Sequence, residues 1–183
     1  MSGYVALLRG INVGKTKRIA MADLRALALK LGYARAHTLL NSGNLVLEAE
    51  RTDPKTIGSE LSRAIEKRFG FDVPLVILSQ AHLDEVIKQN ALAQANRDPA
   101  RFLVAFVCEG AALGKVRPLL KQSWAPDALH IGSRAAYLWC ARGLIESRLA
   151  QSFARTAGEA ATTRNWATVL KLQAALEQRE NAR

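Results

Sequence analysis

The chain of 183 residues is 49% hydrophobic and 23% charged, the balance of an ordinary folded protein and not of a disordered segment. Its formal charge of +10 invites a polyanion reading, but the excess is spread: residues 1–78 hold 12 basic and 7 acidic side chains, and residues 79–183 hold 14 and 9. With no basic leader ahead of an apolar segment and no run of about eighteen apolar residues, the expectation is a cytoplasmic protein with no membrane partner.

Tyr4 to Leu8 is a short apolar run stopped by Arg9-Gly10, which reads as a buried strand. The loop behind it opens the most basic stretch of the chain, Arg9, Lys15, Lys17, Arg18, Arg25, Lys30 and Arg35 against Asp23 alone. Met21, Leu24, Leu27, Ala28 and Leu31 fall at helical spacing and Gly32 stops them. Ala36 to Leu40 and Leu45 to Glu48 read as strands joined across the turn residues Asn41-Ser42-Gly43-Asn44. Asp53-Pro54 supplies an N-cap and a first-turn proline for a helix ending near Phe69-Gly70, and Val73 to Leu78 is a fourth strand. Strand, helix, strand, strand, helix, strand is the ferredoxin-like order.

Ser79 caps a connecting helix running to about Leu92, and the polar turn Asn96-Arg97-Asp98-Pro99 is the best boundary in the chain. Beyond it come a strand at Arg101 to Cys108, a helix at Ala111 to Leu120, strands at Leu129 to Ile131 and Ala136 to Cys140, and a helix at Glu146 to Ala157. This is a diverged copy of the first half without an obvious fourth strand. In that strand's place stand Thr163-Arg164-Asn165-Trp166 and a helix to about Gln178, whose apolar stripe Val169, Leu170, Leu172 and Leu176 must dock somewhere. The expected partition is a ferredoxin-like domain at 1–78, a connecting helix and turn at 79–98, and a second ferredoxin-like domain with a C-terminal helix at 99–183. The fold class is α+β, two α/β-plait halves.

Tyr-Val-Ala-Leu-Leu-Arg-Gly-Ile-Asn-Val-Gly at 4–14, Met-Ala-Asp-Leu-Arg at 21–25, Ser-Gly-Asn at 42–44 and Thr-Arg-Asn-Trp-Ala-Thr at 163–168 together resemble the bacterial "domain of unknown function 1697" family. The resemblance spans nearly the whole chain with its motifs in order. It implies two ferredoxin-like halves and no particular activity. The family pattern commonly runs Asn-Val-Gly-Gly followed by a basic residue and asparagine; here Lys15 replaces the second glycine and Lys17 the asparagine, which makes the loop more basic.

Gly10-Ile11-Asn12-Val13-Gly14-Lys15-Thr16 imitates a phosphate-binding P-loop, but that motif needs four residues between its glycines and this loop has three. Nor does Val73 to Leu78 end in an aspartate for magnesium; Ser79 follows it. Ser42 lacks the Gly-x-Ser-x-Gly surroundings of a nucleophile. Cys108 and Cys140 lie 32 positions apart in apolar runs, away from His37, His82 and His130, so core thiols are expected, with no metal and no cofactor. Phe102, Phe106, Tyr137 and Trp139 alternate as base-stacking aromatics do on an RNA-binding sheet, and as core residues do equally.

The reading that emerges is a protein that binds a phosphate-bearing small molecule at a basic polar site between the two halves. Arg9, Lys15 and Arg164 contact the anion with the Gly14 amide beside them, and Asn12, Ser42, Asn44 and Asn165 orient the rest. The alternatives are a nucleic-acid-binding module on the same basic surface and a structural protein whose motifs lock two halves together. The sequence offers neither a general base nor a catalytic nucleophile in these segments.

Overall fold

The structure, a computed structural model, describes residues 1–50, 53–93, 97–107 and 110–180. The chain forms two compact units, one of Met1–Leu83 together with Leu172–Arg183, the other of Asp84–Lys171.

In the first unit the order is β1 (Ser2–Leu8), α1 (Met21–Lys30), β2 (Ala34–Leu39), β3 (Asn44–Ala49), α2 (Pro54–Phe69) and β4 (Leu75–Ser79). The sheet runs β2-β3-β1-β4, all neighbours antiparallel, which is the ferredoxin-like order. Tyr4, Ala6 and Leu8 of β1 and Leu45 and Leu47 of β3 point to the helix side, where Leu24, Ala28, Ile57, Leu61 and Ile65 of α1 and α2 meet them. Alternation sends Val5, Leu7 and Val46 to the opposite face, and these are fully buried too. A strand buried on both sides is apolar without a break, which is why β1 reads as a continuous run.

Local chemistry sets the ends of α2. The Asp53 carboxylate accepts from the Lys55 amide at 3.1 Å, Pro54 takes the first turn, and Gly70 closes the helix at φ 80 with its N–H on Glu66 O. The Ser79 hydroxyl accepts from the His82 amide and starts α3 (Gln80–Lys88), which is shorter than expected.

The second unit holds β5 (Phe102–Val107), α4 (Ala111–Val116), β6 (Ala128–Ile131), β7 (Ala135–Trp139), α5 (Arg148–Ala157) and β8 (Ala161–Asn165). Its sheet order, β6-β7-β5-β8, repeats that of the first. A fourth strand therefore exists where none was expected: β8 pairs antiparallel with β5 from Leu103↔Asn165 to Val107↔Ala161. Its Thr-Thr-Arg-Asn sequence lacks apolar alternation because this edge strand buries polar side chains, Thr162 and Arg164, and turns Thr163 outward. The helix expected to reach Leu120 stops at Val116 and continues as a 3₁₀ turn over Arg117–Lys121, because Pro118 has no N–H to extend the α pattern. Leu149 and Phe153 of α5 and Leu113 and Val116 of α4 cover Ala105, Ala136 and Leu138. Cys140 joins that core, whereas Cys108 lies outside the described residues.

The last helix, α6 (Trp166–Glu180), begins in the second unit and belongs to the first from Leu172 onward. On the first sheet a Cβ placed on Gly3 would come within 2.8 Å of Leu176 Cδ2. Glycine thus lets the helix lie close on β1.

Candidate functional site

The segment leaving β1 is shaped by left-handed residues, Gly10 (φ 68), Asn12 (φ 57), Gly14 (φ 65) and Lys17 (φ 50). Glycine adopts that region freely and asparagine more readily than most residues. Asn12 holds the loop shut with one carboxamide: its Nδ2 donates to Ile19 O at 2.9 Å and to Asn41 O at 2.8 Å, and its Oδ1 accepts from Ile19 N at 3.0 Å. The Asn12 amide closes the same loop on Lys17 O. Lys17 Nζ donates to Asp72 O, and Arg18 Nη2 to Gly14 O at 2.6 Å, so both cations serve the backbone. Gly14 and Lys15 are exposed, and Val13 stands out at the tip, 73% exposed.

The β2–β3 connection meets this loop. Leu40–Gly43 forms the turn, with Leu40 and Gly43 left-handed, and Gly43 O accepts from the Leu8 amide at 2.8 Å. A Cβ on Gly43 would come 2.7 Å from Ile11 Cδ1 and 2.8 Å from Leu8 Cβ, so only glycine fits where the turn, the β1 end and the loop converge. Buried Asn44 braces the turn from inside, its Nδ2 donating to Leu39 O at 2.9 Å and to Ser42 Oγ at 3.0 Å. The loop after β1 and the β2–β3 turn thus form one body, and Asn12, Ser42 and Asn44 are members of its frame.

Arg9 sits at the base of this body. Its amide bonds Pro74 O, its side chain is partly buried, and its Nη1 is buried with no hydrogen-bond partner among the described residues. The buried carboxylate of Glu48 lies 3.6 Å from Arg35.

The Thr163-Arg164-Asn165-Trp166 segment is organised within the second unit. Arg164 is 8% exposed and opposes Val104 on β5; its Nη1 donates to Thr162 Oγ1 at 2.9 Å and Thr163 O at 2.8 Å. Burial pushes its guanidinium down to about 10. Asn165 caps α6, its Oδ1 accepting from the Thr168 amide at 2.9 Å and the Thr168 hydroxyl at 2.7 Å. Trp166 packs on Phe102 with ring centroids 5.7 Å apart. Phe102, Phe106 and Tyr137 are buried, with the Tyr137 hydroxyl on Val86 O, so these aromatics are core and offer no stacking surface.

One cluster had no signal in the sequence. Arg179, near the end of α6, reaches the β2–β3 side of the first sheet, where its Nη2 contacts Arg35 O, His37 Nδ1 and Val46 O. Glu48, 3% exposed, is the carboxylate there. Five residues drawn from three elements, each ordinary by itself, give no spacing to recognise. Among the described residues no group of three or more His, Cys, Asp or Glu is placed to hold a metal, and no helix is long and apolar enough to cross a membrane.

A chain of two ferredoxin-like α+β units with this glycine-punctuated loop defines the class. The sequence model of the family described as "Protein of unknown function (DUF1697)" matches residues 1–137, and the chain belongs to that family. Among solved structures it is similar to a conserved bacterial protein from Streptococcus pneumoniae, at 23% identity and a TM-score of 0.75, over 96% of this chain and 98% of that one. That likeness shows the fold. The comparison with curated proteins gave no match.

Proposed function

We propose that the first unit binds a phosphate-bearing small molecule at the Arg9–Arg18 loop, with Arg9 and Lys15 supplying the charge and the loop amides around Gly14 lining the approach. The observation that carries the reading is Arg9 Nη1, a buried donor without an acceptor among the described residues, beside a loop whose Lys17 and Arg18 are spent on backbone oxygens while Lys15 stays exposed. An arginine nitrogen left dry and unsatisfied costs about 1–3 kcal/mol, and a ligand oxygen answers that deficit with a charge-assisted bond. Asn12, Ser42 and Asn44 hold the loop, so their part is to keep the geometry ready. Arg164 and Asn165 are engaged in β8 and in the α6 cap. No residue is assigned a catalytic role.

The test is a thermal-shift panel of nucleotides, sugar phosphates, other phosphorylated metabolites and a mixed RNA at two salt concentrations. A ligand at about a hundred times its Kd adds roughly 2.7 kcal/mol, which in a chain this size raises Tm by roughly 5 to 11 °C. One small phosphate compound should shift the melt at both salts, and the shift should vanish in Arg9→Met and Lys15→Ala. A flat panel, or a shift indifferent to both substitutions, overturns the reading. RNA alone shifting the melt, and only at low salt, replaces it with nucleic-acid binding through counterion release.

A further inference from the structure

We propose that His37 is a proton-sensitive latch that holds the end of α6 on the first sheet at neutral pH and releases it in mild acid. The inference is independent of the phosphate reading and rests on other residues.

Its geometry begins with an irregularity in β2. The β2–β3 register shifts between Ala34 and His37, and Arg35 within that shift has φ 47. A bulged residue is left out of the ladder, and here its carbonyl accepts from Arg179 Nη2. The same nitrogen meets His37 Nδ1 and Val46 O, so a single guanidinium edge draws the helix to two strands. In return Arg35 Nη1 donates to Arg179 O at 3.3 Å.

Arginine stays charged and has only N–H donors, so the His37 nitrogen facing it must present a lone pair. In the latched state the imidazole is thus the neutral form with its proton on Nε2, the tautomer the spectra below test. Protonating it turns the acceptor into a donor and sets a cation against Arg179. The other charges around His37 do not relieve this: Arg25 of α1, which donates to Ala36 O, and Arg35 of β2 are positive, and the carboxylate there is Glu48 of β3. Burial first, then Arg179 and more weakly Arg25, hold the imidazole below its ordinary 6.5, and the backbone bond with Arg35 offsets only part of this.

The sign follows. The unfolded chain takes up the proton at a higher pH than the folded one, so the latch contributes fully above about pH 6.5 and is lost as pH falls through the lowered value. What is released is the part of α6 from about Leu172, and with Leu176 withdrawn from Gly3 the face bearing Val5, Leu7 and Val46 opens.

Hydrogen exchange read as protection factors, for the full chain at about pH 7.5 and about pH 5, tests this. Relative to α2, the amides of residues 173–179 should lose about tenfold protection or more in acid. His37→Gln, which keeps a neutral acceptor and cannot titrate, should remove that loss. Equal protection of the two helices at both pH values, or the same acid loss in His37→Gln, overturns the latch. Should that variant fail to fold, long-range ¹H–¹⁵N spectra of wild-type His37 decide alone: a proton on Nε2 at neutral pH supports the latch, and a proton on Nδ1 sinks it.

Discussion

Arg35 and Arg179, separated by 144 positions, each donate a guanidinium hydrogen bond to the other's backbone carbonyl. The exchange fixes the end of α6 to β2, and it is unequal in burial. Arg179 is 9% exposed, whereas the Arg35 side chain is 46% exposed. Arg179→Met keeps most of the volume but strips the donors from Arg35 O and Val46 O and withdraws one of the cations beside Glu48. We expect it to lower the unfolding free energy by about 2–4 kcal/mol in urea titrations. Arg35→Met, acting through a solvated side chain, should cost under about 1 kcal/mol.

Asn12 joins a left-handed backbone to three side-chain hydrogen bonds, and substitution separates the two. Asn12→Gly tolerates the φ and loses the bonds; Asn12→Ala loses both. Alanine should therefore be the worse by about 1 kcal/mol or more, with the total near 2–3 kcal/mol, read from urea midpoints at constant m-value.

Gly10 and Gly43 share positive φ but differ in space. Nothing stands within 4 Å of a Cβ on Gly10, whereas on Gly43 it would strike Leu8 Cβ and Ile11. Gly10→Ala should cost about 1–2 kcal/mol from backbone strain alone. Gly43→Ala should exceed that clearly, because Leu8 and Ile11 must shift as well, and comparing the two Tm values checks it.

Asn165→Ala removes the acceptor that caps α6 and should cost about 1 kcal/mol, while Asn165→Asp retains it and should be nearly neutral. Were Asn165 instead a ligand contact, the alanine variant would leave the melting temperature alone and weaken binding of the phosphate compound.

Cys140 is fully buried, and burial pushes its thiol up despite the hydrogen bond with Ser147 that pulls it down. It should resist a disulfide reagent in the native state and react on unfolding, followed by mass spectrometry of the labelled peptide. The unfolded thiol ionises first as pH rises, so this group's contribution to stability is present at neutral pH and declines above about pH 9.

What the sequence revealed followed the range of the interactions. The α2 boundaries were legible because Asp53, Pro54 and Gly70 act within one turn of themselves. The β1 strand was legible because burial on both faces leaves an unbroken apolar run. The edge strand β8 escaped because, beyond Ala161, the residues it buries are threonine and arginine, which in isolation read as loop. Together with Arg164 and Asn165, residues of the Arg9–Gly14 loop and of the Asn41–Asn44 turn were expected at one site. The Asn12–Asn41 bond that joins them spans 29 positions and has no local signature. Arg164, expected at an anion, has hydrogen-bond partners on its own strand, Thr162 and Thr163, which the sequence alone does not reveal.

The passage of α6 from one unit into the other also orders events during synthesis. The first sheet has all its strands once Ser79 is made, yet Leu176 and Arg179, which lie against its second face, come roughly a hundred residues later. At about 5–20 residues per second, the ribosome leaves those contacts unmade for roughly 5 to 20 seconds. For that interval the nascent chain carries a finished ladder awaiting its own last helix, and any stop codon ahead of Leu172 would make the interval permanent.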